Sequence, residues 1–206
     1  KFLSQNHIDW KLFEEFAVYH ELTPLVYLGL KDFASFLPVN LRELLKIHYY
    51  STLRRSLYFW KEFLQLAGVF EQAGISLLPI KGMAFLGDIY KETFLRPMVD
   101  IDLLVKEESI QKAEAILCDL EYKKELFGSK EEYWRKDQCH IAFAKQKQGD
   151  SFLVELHWGL DFKRRSRAIL PELWERVRVV NRDGRIIKLL SPEDTLFSLA
   201  LHSRRF

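Results

Sequence analysis

Phe94-Leu95-Arg96-Pro97-Met98-Val99-Asp100-Ile101-Asp102-Leu103-Leu104-Val105 is the stretch on which the reading of this chain turns. Pro97 marks a turn, and the short apolar run after it, rich in β-branched residues, predicts a buried strand. Side chains alternate along a strand, so Asp100 and Asp102 share one face with Met98 and Leu104. Val99, Ile101, Leu103 and Val105 take the other. Two carboxylates on one face of a buried strand repel each other and lose hydration. A bound cation offsets both costs, and a hard divalent ion such as Mg²⁺ takes carboxylate oxygens while leaving positions for substrate phosphates.

Upstream, residues 1–74 read as a helical region. Ile8, Leu12, Phe13 and Phe16 recur at helical spacing, and Thr23-Pro24 predicts an N-cap followed by proline in the first turn. From Leu41 to Phe70 apolar residues keep a 3.6 period, predicting a helix about 50 Å long at ~1.5 Å per residue, with Gly74 as its stop. Arg42 and His48 on this helix diverge in azimuth and predict no joint chemistry.

At Ile75 the period changes to that of strands. Residues 75–80 predict a short strand with Pro79 near its end, and residues 84–90 predict a helix. Lys81-Gly82 between them offers backbone N–H groups beside a positive charge, an arrangement suited to phosphate. Residues 107–120 predict a helix, and residues 121–127 and 139–145 predict strands. Residues 151–158 predict a strand on which Leu153, Glu155 and His157 share a face. Residues 146–150 predict a hairpin turn that makes this strand and the one before it antiparallel neighbours. A second hairpin is predicted for 177–180 and 185–190, and Ser191-Pro192-Glu193-Asp194 opens a final helix. The expected organisation is a helical region at 1–74, an α+β core with a small mixed β-sheet at 75–190, and the start of a further helical region at 191–206. The chain begins at Lys1 and stops inside an apolar helical pattern, so it reads as a fragment of a longer protein.

Of 206 residues, 48% are hydrophobic and 29% charged, with a formal net charge of +2. This is an ordinary globular balance that calls for no nucleic acid. The basic clusters at 54–55, 163–167 and 204–205 read as solvated faces. Cys118 and Cys139 lack zinc-site spacing and read as reduced thiols of a cytoplasmic protein. No apolar run approaches the ~18 residues of a membrane span.

The successive motifs Leu78-Pro79-Ile80-Lys81-Gly82, Arg96 to Val105, Glu155-Leu156-His157-Trp158 and Ser191-Pro192-Glu193-Asp194 resemble an uncharacterised branch of the DNA polymerase β-like nucleotidyltransferase superfamily. The resemblance covers roughly residues 75–205. It implies transfer of a nucleotidyl group from a nucleoside triphosphate to an acceptor hydroxyl, with pyrophosphate released. It also implies two Mg²⁺ or Mn²⁺ ions held by Asp100, Asp102 and Glu155. Lys81, Gly82 and Arg96 become candidate triphosphate contacts, and His157 a candidate substrate contact. Met83 follows Gly82 where the superfamily has Ser or Gly, which leaves phosphate oxygens for Lys81 and Arg96. The acceptor is open among a small molecule, RNA and protein. A non-catalytic, antitoxin-like nucleotide-binding module and a toxin-like enzyme acting on RNA or a protein are the alternatives.

Overall fold

The computed structural model describes residues 8–86, 88–89, 95–147, 149–161, 170–182 and 184–203. The basic clusters at 163–167 and 204–205 lie outside them, as do Phe94 and Tyr90. The chain forms two compact units, Lys1–Tyr58 with Tyr90–Met98 and Phe59–Ile89 with Val99–Phe206. Among the described residues no helix is long and apolar enough to cross a membrane.

The first unit is helical. Asp9 caps α1 (Trp10–Tyr19) through Leu12 N–H at 3.0 Å. The packed stripe is Trp10, Phe13 and Ala17, whereas Leu12 and Phe16 are exposed. A second helix, α2 (Thr23–Leu30), leads through a 3₁₀ segment at Lys31–Phe36 into α3 (Val39–Gln72). Leu37, Leu41 and Leu45 form a small core with Trp10, Phe13, Val26 and Tyr27. Thr23 is not the cap expected of it. Leu22 precedes the helix, and the buried Thr23 hydroxyl lies 3.1 Å from His48 Nδ1 on α3. A partner distant in sequence has taken the oxygen that a cap would have used. In the same unit Arg55 donates to the Met98 carbonyl at 2.8 Å and Ser56 to the Arg96 carbonyl at 3.2 Å.

The residues of α3 from Phe59 onward belong to the second unit. Phe59, Phe63, Leu66 and Phe70 are buried there along one stripe. The helix ends as its glycine predicts. Gly74 has φ +71°, its N–H bonds Glu71 O at 2.9 Å, and Ile75 N–H reaches back to Phe70 O at 2.9 Å.

Five strands form one mixed sheet. They are β1 (Leu77–Pro79), β2 (Ile101–Val105), β3 (Lys123–Glu125), β4 (His140–Lys147) and β5 (Asp150–His157), in spatial order β1-β2-β5-β4-β3. Among the described residues only β2 and β5 run parallel. Pro79 ends the edge strand β1, where its missing N–H costs least. The strand expected from Met98 starts only at Ile101, so Asp100 sits just before it and Val99 is exposed. Arg55 holds the carbonyl of Met98, the first residue of the expected strand. All five residues of β2 are buried, as expected of a strand covered on both faces. On one face Phe152 meets Phe59 of α3 at 5.5 Å between ring centroids. On the other, Leu104 joins Leu78, Ile80, Leu160, Leu173 and Leu190 in a common cluster.

The helix expected at 84–90 is instead α4 (Lys81–Phe85), since the chain turns helical directly after Ile80. Residues 107–120 form a 3₁₀ turn at Glu107–Ser109 and then α5 (Ile110–Asp119). A helix not anticipated, α6 (Glu131–Asp137), precedes β4. After α7 (Leu170–Glu175), β6 (Arg178–Arg182) and β7 (Arg185–Leu189) make a separate two-stranded sheet, closed by Gly184 at φ +77°. The last helix is α8 (Pro192–Ser203). Ser191 Oγ accepts the Asp194 N–H at 3.0 Å and donates to Asp194 Oδ2 at 2.8 Å, while Arg176 grips the same carboxylate at 2.7 and 3.0 Å. Ser191→Ala should therefore cost about 1 kcal/mol, read as a shift in the chemical-denaturation midpoint with unchanged slope.

Candidate metal and phosphate site

The parallel pairing of β2 with β5 sets Asp102 directly opposite Glu155. The alternation of each strand turns both carboxylates to one face, together with His157. β4 completes that face. Ala142 lies opposite Glu155 and leaves it room, and His140 lies opposite His157, the two rings stacking at 4.9 Å.

Lys81 enters from the end of β1. The Ile80 N–H donates to the Asp102 carbonyl at 3.0 Å, so the next residue begins its turn beside that carboxylate. Lys81 adopts φ +51°, a left-handed conformation that costs a residue with Cβ about 1 kcal/mol. Its ammonium offsets this by donating to Asp102 Oδ1 at 2.5 Å and to Glu155 Oε2 at 3.3 Å. On the other side His157 Nε2 lies 2.9 Å from Asp102 Oδ1 and 3.2 Å from Glu155 Oε2. Asp102 and His157 are each 2% exposed.

The protonation of these groups follows from this packing. Burial alone would lower His157, but its bonds to Asp102, Cys139 and Glu155 raise it to about 10. Burial also opposes the charge on Lys81, yet Asp102 and Glu155 outweigh it and hold the amine above its usual value. For Glu155 burial pushes up, and the His157 hydrogen bond and charge pull the carboxyl well below the usual range. Among the described residues Asp100 has no such bonded cation. Burial first, then the charges of Asp102 and Glu155, raise it to about 6.

This makes Asp100 a measurable liability in the metal-free protein. Its folded-state value lies above the ordinary 3.8, so the native state is favoured while the group is protonated and is penalised as pH rises from about 4 through 6. Asp100→Asn should match wild type below pH ~4 and be more stable by about 2 kcal/mol at pH 7, from the size of the shift discounted for partial exposure. Denaturation at several pH values in EDTA checks this, and a difference independent of pH would contradict it.

Ligand atoms of Asp102, Glu155 and His157 all lie within 4.8 Å of one another, as do those of Cys139, His140 and His157. Either group could hold a metal ion. The carboxylates are hard oxygen donors of the kind that Mg²⁺ and Mn²⁺ take, and a cation reaching Asp102 Oδ1 must displace the Lys81 ammonium.

Other expected residues are placed as follows. Gly82 and Met83 are buried in α4, and at 1% exposure Met83 serves as core packing. Arg96 belongs to the first compact unit. His140 was not among the residues read from the sequence. The observed pairing of Lys147 with Asp150 sets it opposite His157, whereas counting back from a turn at 146–150 would have set it opposite Leu156, on the other face.

The family described as uncharacterised nucleotidyltransferase matches residues 6–205 of the chain. No curated protein matches it. Among solved structures, that of a "putative nucleotidyltransferase" from Thermotoga maritima is similar over 71% of this chain and 86% of that one, at 17% identity and a TM-score of 0.47. With the family match running over nearly the whole sequence, on a mixed sheet that brings two acidic strands together, the chain belongs to the uncharacterised nucleotidyltransferases.

Proposed function

We propose that this protein transfers a nucleotidyl group from a nucleoside triphosphate to an acceptor hydroxyl in a metal-dependent reaction. The observation that carries this reading is the convergence of Asp102 and Glu155 across paired parallel strands, with the Lys81 ammonium between them. The acceptor oxygen attacks the α-phosphorus and gives up its proton. The bond from that phosphorus to the bridging oxygen breaks, and pyrophosphate leaves. Two Mg²⁺ or Mn²⁺ ions held by Asp100, Asp102 and Glu155 would neutralise phosphate charge and lower the pKa of the attacking hydroxyl. Positioning and charge supply most of the rate in such chemistry.

In this reading Lys81 exchanges its carboxylate partners for phosphate oxygens when substrate enters. Gly82 lets the backbone approach the same phosphates. Arg96 is assigned as a further phosphate contact on its sequence motif alone. His157, expected as a substrate contact, is buried with both carboxylates as partners, so its role here is to orient Asp102 and Glu155. Cysteines outside any disulfide, Cys118 and Cys139, suit a cytoplasmic setting.

One observation favours a second reading, that of a nucleotide-binding module without turnover. The carboxylates already have two cationic partners in the chain itself. Incubation with each α-labelled triphosphate and Mg²⁺ or Mn²⁺ in cell lysate separates the two. Transfer predicts a labelled acceptor and free pyrophosphate. Bound triphosphate with no pyrophosphate from any of the four would overturn it.

A further inference from the structure

We propose that Cys139, His140 and His157 form a second site, selective for Zn²⁺, which shares His157 with the carboxylate cluster. The three side chains place one ligand atom each within 4.8 Å of the others. Zinc bound to thiolate and imidazole holds its ligands about 3.5 Å apart, so side-chain adjustments of about 1 Å close the site.

The strands fix the arrangement. His140 and His157 are cross-strand partners with stacked rings, and the Cys139 carbonyl accepts the Trp158 N–H at 2.9 Å, which pins Cys139 against the end of β5. Cys139 is 1% exposed, and the His140 side chain, 12% exposed, is the more accessible member. Among the described residues the buried His140 Nδ1 has no hydrogen-bond partner. A buried ring nitrogen left unsatisfied is costly, and a metal satisfies it. Glu155 Oε1 lies 3.8 Å from the other ring nitrogen, His140 Nε2, and so faces the ring on the side away from Nδ1.

The two clusters differ in softness. Thiolate and imidazole select zinc, whereas Asp102 and Glu155 suit magnesium or manganese. His157 keeps Nε2 on Asp102 and Glu155, so zinc held by its other ring nitrogen leaves that pair in place and links the two clusters through one imidazole.

The test uses the whole chain, stripped with EDTA and then given Zn²⁺ or Co²⁺ alone. Wild type should take up one zinc per chain, and its Co²⁺ form should show a thiolate-to-cobalt charge-transfer band. Cys139→Ser should weaken zinc by at least about tenfold, the smallest loss typical of a disturbed metal site, and abolish the band. Asp100→Asn, outside the Cys/His group, should keep both. Equal zinc loss in Asp100→Asn and Cys139→Ser would place the ion on the carboxylates and overturn the proposal. If Cys139→Ser fails to fold, the wild-type cobalt spectrum decides, since a missing thiolate band is fatal by itself. Loss of transferase activity in any variant leaves this readout untouched.

Discussion

Asp102→Asn should lower metal-dependent transfer on the order of a thousandfold or more, the loss expected when a preorganised charged contact to the reacting groups is removed. Asp102 lies near the middle of the mixed sheet, 2% exposed, and its Oδ1 receives both Lys81 Nζ and His157 Nε2. Asparagine keeps the shape and one oxygen but loses the charge. The repulsion read from the sequence predicts that either aspartate changed to asparagine leaves the metal-free fold intact or more stable. The structure divides that expectation between the two aspartates. At Asp102 the repulsion is already compensated, so Asp102→Asn leaves Lys81 and His157 short of a counter-charge and lowers the melting temperature in EDTA. At Asp100 the repulsion remains, and its asparagine variant should melt higher at neutral pH. Pyrophosphate release at saturating triphosphate and Mg²⁺ measures the first effect, and turnover near the wild-type rate would remove Asp102 from the mechanism.

Lys81→Met should destabilise the metal-free protein by about 3 kcal/mol, at the low end of what breaking a buried ion pair costs, because His157 still faces the carboxylates. For a chain of this size that is roughly a 10 °C fall in melting temperature. The Lys81 side chain is 17% exposed and its amine spans Asp102 and Glu155, so methionine keeps its apolar stem and removes only the charge. Saturating Mg²⁺ should restore much of the loss and raise the variant's melting temperature more than that of wild type, where the ammonium competes for the same oxygens. Thermal melts of both proteins with EDTA and with Mg²⁺ give the comparison. Coincident melts in EDTA would mean that the Lys81 pair contributes nothing to the fold.

Features encoded within a few residues were determined by the sequence itself. The stop of α3 at Gly74, the opening of α8 at Ser191, the β4–β5 hairpin and the acidic strand β2 all follow from period, caps and turn residues. These depend on backbone preferences that neighbouring residues decide among themselves. Thr23 marks the limit of such rules, since its hydroxyl bonds a histidine 25 residues away. The site shows the same division. Asp102, Glu155 and Lys81 were legible as residue types in strands and a glycine turn, but which charge meets which was not. Asp102 and His157 are 55 residues apart, and Lys81 and Glu155 are 74 apart. Only the parallel register of β2 on β5 and the left-handed turn at Lys81 bring them within hydrogen-bond reach. Register between distant strands is set by packing of the whole sheet, and a slip of one residue would turn Glu155 and His157 to the opposite face. Tertiary structure alone therefore decided that the carboxylates meet two cations, and that His140 and Cys139 stand next to them.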